Sequence, residues 1–265
     1  MNISLIPDSP ALLIELESQR ILSLADLHLG ITAELAEKGI ELPSQIPKVK
    51  KRILKLIRAE NPDRLIFLGD VKHNVPITSW QEWRDLPSFF SELSDHVQIG
   101  ILPGNHDGDI EGLVPPEIII HEAKGITLGG GEIGLMHGHT WPGPDLLKAK
   151  TLVTAHNHPI VEFRDGLGSR ITELAWLKCR IELGKLPKKL QGEIKGAGPE
   201  ILVTPAFSEL IGGVAVNREM PEELLGPMFK SRAILLDESE VYLLDGTFLG
   251  KLKNLKKFAF QSFGK

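Results

Sequence analysis

Apolar residues in the first hundred positions fall into two kinds of segment. Residues 31–38, 45–60 and 80–94 have the pattern of helices, most clearly the second, whose apolar residues recur every three or four positions. Shorter apolar runs between them predict strands at residues 3–6, 11–16, 20–25, 65–68 and 97–102. Because strands and helices alternate, this half is predicted to form a mostly parallel sheet with helical crossovers.

From about residue 115 the apolar runs become shorter and glycines separate them. Residues 171–183 have apolar side chains of one parity, which favours a strand over a helix. Residues 184–199 are predicted to form an exposed loop, and 233–236 are predicted to form a hairpin with 240–244. The other predicted strands, of which the first three are expected to be antiparallel, are 117–121, 126–128, 132–136, 152–155 and 201–203.

Composition narrows the class of protein without naming a function. The 265 residues carry a formal net charge of −5, which disfavours a chain that binds nucleic acid over its whole surface. The single cysteine, Cys179, excludes an intramolecular disulfide framework. We predict a cytoplasmic protein, since the first ten residues do not resemble a signal peptide and no apolar run is long enough to span a membrane.

Histidines are concentrated where predicted strands end. The chain has nine, and seven of them lie in or beside five short polar segments. In an open α/β sheet, ligands bind beyond the carboxyl ends of the strands, where these segments are predicted to lie. The segments are Asp26-Leu27-His28, Gly69-Asp70, Gly104-Asn105-His106-Asp107, His137-Gly138-His139 and His156-Asn157-His158.

We interpret these five segments as one site for two divalent metal ions. Asp70 is the predicted bridging carboxylate between the two ions, because it follows a glycine at the end of an apolar run that is predicted to be a buried strand. Asp26, His28 and His158 are predicted to complete the shell of one ion. Asn105, His137 and His156 are predicted to complete the shell of the other.

Two residues beside the ligands have the chemistry for proton transfer. His106 follows Asn105, so it could reach a substrate as general acid or as a donor to developing charge. Asp107 is predicted to orient the His106 ring. The predicted reaction is therefore hydrolysis of a phosphoester with a metal-activated water as nucleophile.

These segments, in this order, resemble the motifs of the calcineurin-like metallophosphoesterase family. The resemblance implies an α/β fold, namely a four-layer α/β/β/α sandwich of two mixed sheets flanked by helices. It also implies a dinuclear centre, with manganese preferred and iron, zinc, nickel or magnesium as alternatives. We predict a single domain over residues 1–265, with the core motifs at 20–217.

Finer features resemble one branch of that family. The run Asp70-Val71-Lys72-His73 is similar to that of SbcD-type nucleases, which implies that His73 assists catalysis. Segments 137–142 and 205–214 resemble archaeal SbcD-related and DNA-ligase-associated phosphoesterases, and His139 is expected to support the metals or the substrate pocket. One position departs from the family pattern, because the usual glycine before the last His-x-His is Ala155.

The resemblance favours phosphodiesters as substrates, with DNA or RNA as candidates. Residues 164–196 carry eight Lys/Arg against four Asp/Glu, and the tail 246–265 has five lysines among four phenylalanines. Either stretch could follow a phosphate backbone, although solvated lysines are the simpler reading. The alternatives are a phosphomonoesterase or nucleotidase, and a catalytically silent nucleic-acid-binding subunit. A homo-oligomer is compatible with the sequence, and no ATPase or helicase partner and no membrane is assumed.

Overall fold

Two mixed β-sheets lie face to face, and helices cover their outer faces. The computed structural model describes residues 1–164, 169–192, 194, 196–218 and 226–259, with the side chains of 257–259 outside the description. The α/β sandwich predicted from the family resemblance is confirmed. Within the described residues, no helix is both long and apolar enough to cross a membrane.

The first sheet contains the strands of the first half in chain order. Its last four strands are parallel and its first two are antiparallel additions at one edge, so the sheet is mixed. The strands are β1 (Asn2–Leu5), β2 (Ala11–Glu15), β3 (Arg20–Leu24), β4 (Arg64–Phe67), β5 (Gln98–Ile101) and β6 (Ile119–Ile120).

Three helices connect these strands. Helix α1 spans Ile31–Glu37, α2 spans Ile46–Glu60 and α3 spans Trp80–Ser94, close to the predicted limits. Helix α3 begins with a capping box, in which the side chains of Ser79 and Glu82 each accept a backbone N–H of the other residue. Single turns of 3-10 helix lie at Ile110–Gly112, Gly129–Gly131, Leu146–Lys148, Leu183–Lys185 and Leu236–Glu238.

The second sheet is built by the later strands in the order β13-β10-β11-β12-β9-β8-β7, with β14 beside β11 and β15 beside β14. Its strands β8, β9 and β12 are parallel, and their carboxyl ends meet at one edge. The described part of this half also contains the short helices α4 (Lys188–Gln191), α5 (Pro227–Lys230) and α6 (Leu252–Ala259). The strands are β7 (Ile126–Leu128), β8 (Ile133–Leu135), β9 (Thr151–Thr154), β10 (Pro159–Arg164), β11 (Arg170–Cys179), β12 (Glu200–Val203), β13 (Val214–Ala215), β14 (Glu240–Leu243) and β15 (Phe248–Lys251).

Alternate residues of the central strands enter different hydrophobic cores. Leu65 and Phe67 pack against α2 and α3, whereas Ile66 and Leu68 pack between the two sheets against residues such as Trp176. Each fully buried aliphatic side chain contributes roughly 1.5–3 kcal/mol to the free energy of unfolding. Burial on both faces therefore accounts for the continuous apolar run at 65–68.

Several predictions for the second half need correction. The predicted hairpin of 233–236 with 240–244 is wrong, because β14 pairs with β15 and β11 instead. The predicted exposed loop at 184–199 contains α4, and the predicted strand in 171–183 is confirmed as β11. In the predicted basic tail, Phe248 lies in β15, whereas Phe260, Phe263 and the side chain of Phe258 lie outside the described residues.

Candidate metal centre

Three of the five polar segments lie at one edge of the first sheet, directly after its strands β3, β4 and β5. The chain leaves β3, β4 and β5 in the same direction, and backbone bonds join the loops that follow. The amide of Asp26 donates to Gly69 O at 3.0 Å, and that of His28 donates to Asp70 O at 2.9 Å. The amide of His106 donates to Asp70 Oδ1 at 2.9 Å, which fixes the side chain of Asp70 from the third loop.

The second sheet delivers the remaining segments to the same edge. His137 follows β8, and the pair His156 and His158 follows β9. Ala155 is fully buried and its amide donates to His137 O at 2.7 Å, so the departure from glycine is accommodated there. The loop after β12 ties the sheets together, because Ser208 N donates to Asp26 O at 3.1 Å.

Five of these residues have left-handed backbone conformations. The φ angles are 55° at Asp26, 47° at His28, 50° at Asp70, 71° at His156 and 40° at His158. Such a conformation costs a non-glycine residue of order 1–3 kcal/mol and persists when the surroundings impose it. Its concentration at five clustered polar residues is typical of a functional site.

Position 104 must be a glycine because it lies very close to Asp70. A Cβ at position 104 would lie 2.1 Å from Asp70 Oδ1 and 2.5 Å from Asp70 N. No side chain fits there unless the Asp70 carboxylate moves. The Pro103-Gly104-Asn105 turn therefore sets the position of the predicted central carboxylate.

The side chains form three neighbouring ligand sets, two of which share Asp70. One of these two combines Asp26, His28, Asp70 and His158, and the other combines Asp70, His137 and His156, while the third set consists of His28, His73 and His106. In each set the nearest ligand atoms lie within 4.8 Å of one another. Apart from Asn105, the two sets that share Asp70 are those predicted from the sequence, with Asp70 between them.

Four atoms that face this centre are buried and have no hydrogen-bond partner. They are Asp26 Oδ1, His28 Nε2, His137 Nε2 and His158 Nε2. His158 Nε2 lies 3.3 Å from Asp26 Oδ1, and His137 Nε2 lies 3.3 Å from Asp70 Oδ2. Buried polar atoms without partners are rare, and converging imidazole nitrogens and carboxylate oxygens suit divalent transition metals. The residues therefore fit the two ions that the family resemblance implies.

Hydrogen bonds on the far side of three rings direct the Nε2 atoms inward. His137 Nδ1 bonds Leu68 O at 2.8 Å, and His158 Nδ1 bonds Gly212 O at 3.3 Å. His28 Nδ1 instead meets another ring nitrogen, His73 Nδ1, at 3.1 Å. A ligating histidine commonly uses its other nitrogen in this way, which fixes the ring and its tautomer.

Burial and mutual charge shift the pKa values strongly. Burial alone would lower the pKa of His137, but the Asp70 and Asp26 carboxylates raise it to about 9. Burial lowers the pKa of His28 to about 3 despite the opposing effect of Asp70. For Asp70, burial opposes ionisation, yet His137 and His28 hold its pKa well below the ordinary value.

His106 lines the pocket beside the ligands, but Asp107 does not contact its ring as predicted. His106 Nδ1 bonds His73 O at 2.5 Å, which leaves Nε2 for a substrate. The predicted contact of Asp107 with the His106 ring is corrected here. Its carboxylate is 3% exposed and accepts the amides of Val71 and Lys72, at 2.8 and 3.1 Å, and of Gly104 at 2.8 Å. Asp107 therefore holds two ligand loops together.

The remaining predicted residues lie around the ligands. Asn105 is exposed and lines an open pocket of about 430 Å³ together with His28, Asp70, His106, His156 and His158. The ring of His139 lies 5.3 Å from that of His137, and burial lowers its pKa to about 4. His73 is buried beside His28, with the rings 5.2 Å apart.

Two carboxylates that support His73 were not predicted. Glu82 Oε1 accepts the amides of His73 and Asn74, both at 2.9 Å, and its side chain is fully buried. Glu34 Oε2 bonds His73 Nε2 at 2.5 Å. The pattern Ser79-x-x-Glu82 is a capping-box signal that could have identified Glu82. The sequence contains no comparable signal for Glu34.

The α/β sandwich holds a cluster of histidines and aspartates where strands of both sheets end. The family model for calcineurin-like phosphoesterase matches residues 19–185, which is well over half of the chain. The chain belongs to this family, and the family prediction is confirmed.

Two solved structures match this chain, and the one with the higher TM-score shares its fold. The nuclease MPE of Pseudomonas putida is 17% identical, with a TM-score of 0.53 over 89% of this chain and 97% of that one. Yfce, a phosphoesterase from E. coli, is 14% identical, with a TM-score of 0.38 over 87% of this chain and 97% of that one.

Proposed function

We propose that this chain is a phosphodiesterase that depends on two divalent metal ions and acts on nucleic acids. The observation that carries the proposal is the position of Asp70 between two ligand sets. Two ions bound by these sets would supply an activated water and stabilise charge on the phosphoryl oxygens. Manganese remains our preferred metal, and cytoplasmic location remains a prediction.

The protein's own residues would orient the substrate and supply a proton. The phosphoryl group would enter the pocket between His28, Asp70 and His158. His106 Nε2 would donate a proton to the leaving oxygen, because Nδ1 is held by His73 O. The exposed amide of Asn105 would contact either an ion or a phosphoryl oxygen.

Helix α2 supports nucleic acid as the substrate class. Lys48, Lys51, Lys55 and Arg58 follow one another at helical spacing and line an open groove on this helix. At 1.5 Å per residue the stripe is about 15 Å long, enough for several phosphates. Among the described residues, no carboxylate lies within ion-pair distance of Lys51, Lys55 or Arg58.

The stripe reaches the metal centre through the loop after β12. Glu209 in this loop pairs with Lys48 and with Arg52, the latter at 3.1 Å. Two to four residues later, Ile211 and Gly213 line the metal pocket. A strand that crosses this loop could therefore place one phosphodiester in the pocket and the next ones on α2.

The two basic stretches predicted from the sequence, 164–196 and 246–265, have more of their charges in ion pairs than the stripe on α2 has. In the tail, Lys251 and Lys253 pair with Glu238, and Lys256 pairs with Asp237. In 164–196, Arg164 and Arg170 pair with Glu162. These pairs reduce the positive potential available to a polyanion.

A substrate panel with Mn²⁺ tests the activity. It compares an aryl phosphodiester, an aryl phosphomonoester, cyclic nucleotides, single-stranded DNA and RNA. We expect turnover of the aryl diester and of a nucleic acid, loss of both in Asp70→Asn, and a decrease of about 10²–10⁴-fold in His106→Ala. Turnover of the monoester alone would establish the monoesterase alternative, and undiminished turnover in both variants would contradict the site.

Charge reversal of the stripe tests the substrate class. We expect Lys51→Glu, Lys55→Glu and Arg58→Glu together to raise the KM for nucleic acid and flatten its salt dependence, while aryl diester turnover is unchanged. The matched control reverses Lys185, Lys188 and Lys189, which are exposed elsewhere. An effect in the control and none in the stripe variant would assign the surface to 184–199.

A further inference from the structure

We propose that Glu34 is a positioning residue that sets one end of the metal centre through a chain of two histidines. The proposal rests on the metal-dependent function proposed above. Glu34 Oε2 lies 2.5 Å from His73 Nε2, and His73 Nδ1 lies 3.1 Å from His28 Nδ1. The far nitrogen of His28 is the buried Nε2 that faces Asp70 Oδ2 at 3.7 Å.

The direction of each hydrogen bond follows from the role of His28. If Nε2 is to bind a metal, it needs its lone pair, so the proton of a neutral His28 ring lies on Nδ1. That proton is donated to His73 Nδ1, which must then be unprotonated. The proton of His73 therefore lies on Nε2 and is donated to Glu34.

Glu34 selects this arrangement over the reverse one. In the reverse tautomers His73 would donate from Nδ1 and turn the lone pair of Nε2 towards a carboxylate, which accepts but cannot donate. His28 would then carry its proton on Nε2 and could not bind a metal. Glu34 thus favours the form of His28 that ligates, from a position on α1 where its own side chain is 37% exposed.

This role differs from a catalytic role for His73. Both ring nitrogens of His73 are already in contact with other side chains, and neither is left for a substrate. Among the described residues, no side chain bonds His106 Nε2, and the ring of His106 is stacked on that of His73 at 5.5 Å. The hydrogen-bonded series Glu34–His73–His28, called the relay below, therefore acts on the metal, whereas His106 acts on the substrate.

Calorimetric titration of the metal-free protein with Mn²⁺ tests the proposal. We expect Glu34→Ala to weaken binding of one of the two ions about 10–100-fold and to leave the other unchanged. Glu34→Gln keeps a neutral acceptor, so a smaller loss is expected. Hydrolysis of the aryl diester should fall at limiting Mn²⁺ and recover at saturating Mn²⁺. A decrease that persists at saturation would contradict positioning and assign a direct role in proton transfer.

Two control variants isolate the bond to His73. Glu34 also pairs with Lys38, so Lys38→Gln removes that pair while Glu34 can still bond His73. Glu37→Gln removes an exposed carboxylate from the same helix. Both are expected to bind Mn²⁺ like the wild type. Equal weakening in all variants would reduce the effect to surface charge and overturn the proposal.

The tautomers provide a readout independent of activity. In a protein with ¹⁵N-labelled histidines and bound Zn²⁺, long-range ¹H–¹⁵N spectra should show the proton of His73 on Nε2 and that of His28 on Nδ1. The opposite tautomer of His73 would overturn the relay. Wild-type protein that binds no ion would overturn the proposed function itself, whereas wild-type binding with an unchanged Glu34→Ala variant would overturn only the relay.

Discussion

The metal centre has one end at His137 and the other at His28, and these two histidines are held by different kinds of contact. His137 is fully buried and its Nδ1 bonds a backbone carbonyl, Leu68 O, at the end of β4. His28 bonds the side chain of His73, which continues to the half-exposed Glu34. The first arrangement is fixed by the fold itself. The second is fixed by side chains that substitution can change, so the His28 end can be tuned without loss of the fold.

The largest effect on turnover is expected where both ends meet. Gly104→Ala would place a methyl group against the Asp70 carboxylate, so both ions should be lost together. We expect aryl diester turnover to fall to background and the free energy of unfolding to decrease by about 1–3 kcal/mol. Gly108→Ala is the control, because nothing lies within 4 Å of its added Cβ. Two ions bound as in the wild type would show that Asp70 is not held by this turn.

The free energy of unfolding, rather than turnover, should separate the two ends. His137→Ala leaves Leu68 O buried without its donor and opens a cavity, and we expect it to cost about 2–5 kcal/mol. His28→Ala is expected to cost less, because His28 Nδ1 bonds a side chain and its removal leaves no buried backbone carbonyl without a donor. Urea unfolding of the metal-free variants measures the difference. A greater loss in His28→Ala would reverse the comparison.

Changes in pH should affect the contributions of His137 and His28 to stability with opposite sign. The pKa of His137 is raised from 6.5 to about 9, so its contribution to metal-free stability is present below 6.5 and declines as pH rises towards 9. The pKa of His28 is lowered from 6.5 to about 3, so stability declines as pH falls below 6.5. Burial also lowers the pKa values of His139 and His156 to about 4, so these two residues add to the loss of stability as the pH falls below 6.5.

Urea unfolding of the metal-free protein at pH 5, 6.5 and 8.5 checks these signs. We expect the highest stability near pH 6.5. His137→Ala should reduce the decline towards pH 8.5, and His28→Ala should reduce the decline towards pH 5. An alkaline decline of the same size in His137→Ala would show that another group is responsible.

The sequence predicted which segments come together better than it predicted the contacts that support them. The convergence of Asp26, Asp70 and His158 could be predicted because each follows a strand, and parallel strands bring their carboxyl ends together whatever the intervening loops do. Glu34 could not be predicted, since its contact with His73 depends on how α1 packs against a loop 39 residues later. Asp107 was assigned to the His106 ring because they are neighbours in sequence, but its carboxylate is turned towards the amides of another loop.

The fold shows the same division. Residues 80–94 were predicted with correct limits because the helix carries its own start signal in Ser79 and Glu82. The prediction of a hairpin in 233–244 was wrong because tertiary packing determines the partners of β14, which pairs with β11 on one side and β15 on the other. Local signals specify a helix, whereas strand pairing depends on residues far along the chain.

Electron paramagnetic resonance of the Mn²⁺-loaded protein tests the central claim most directly. Two ions that share Asp70 should give two Mn²⁺ per chain and the spectrum of an exchange-coupled pair, since such ions lie about 3.5–4 Å apart. Asp70→Asn should abolish the coupling. A single uncoupled Mn²⁺ per chain in the wild type would contradict the shared carboxylate and, with it, the proposed two-ion mechanism.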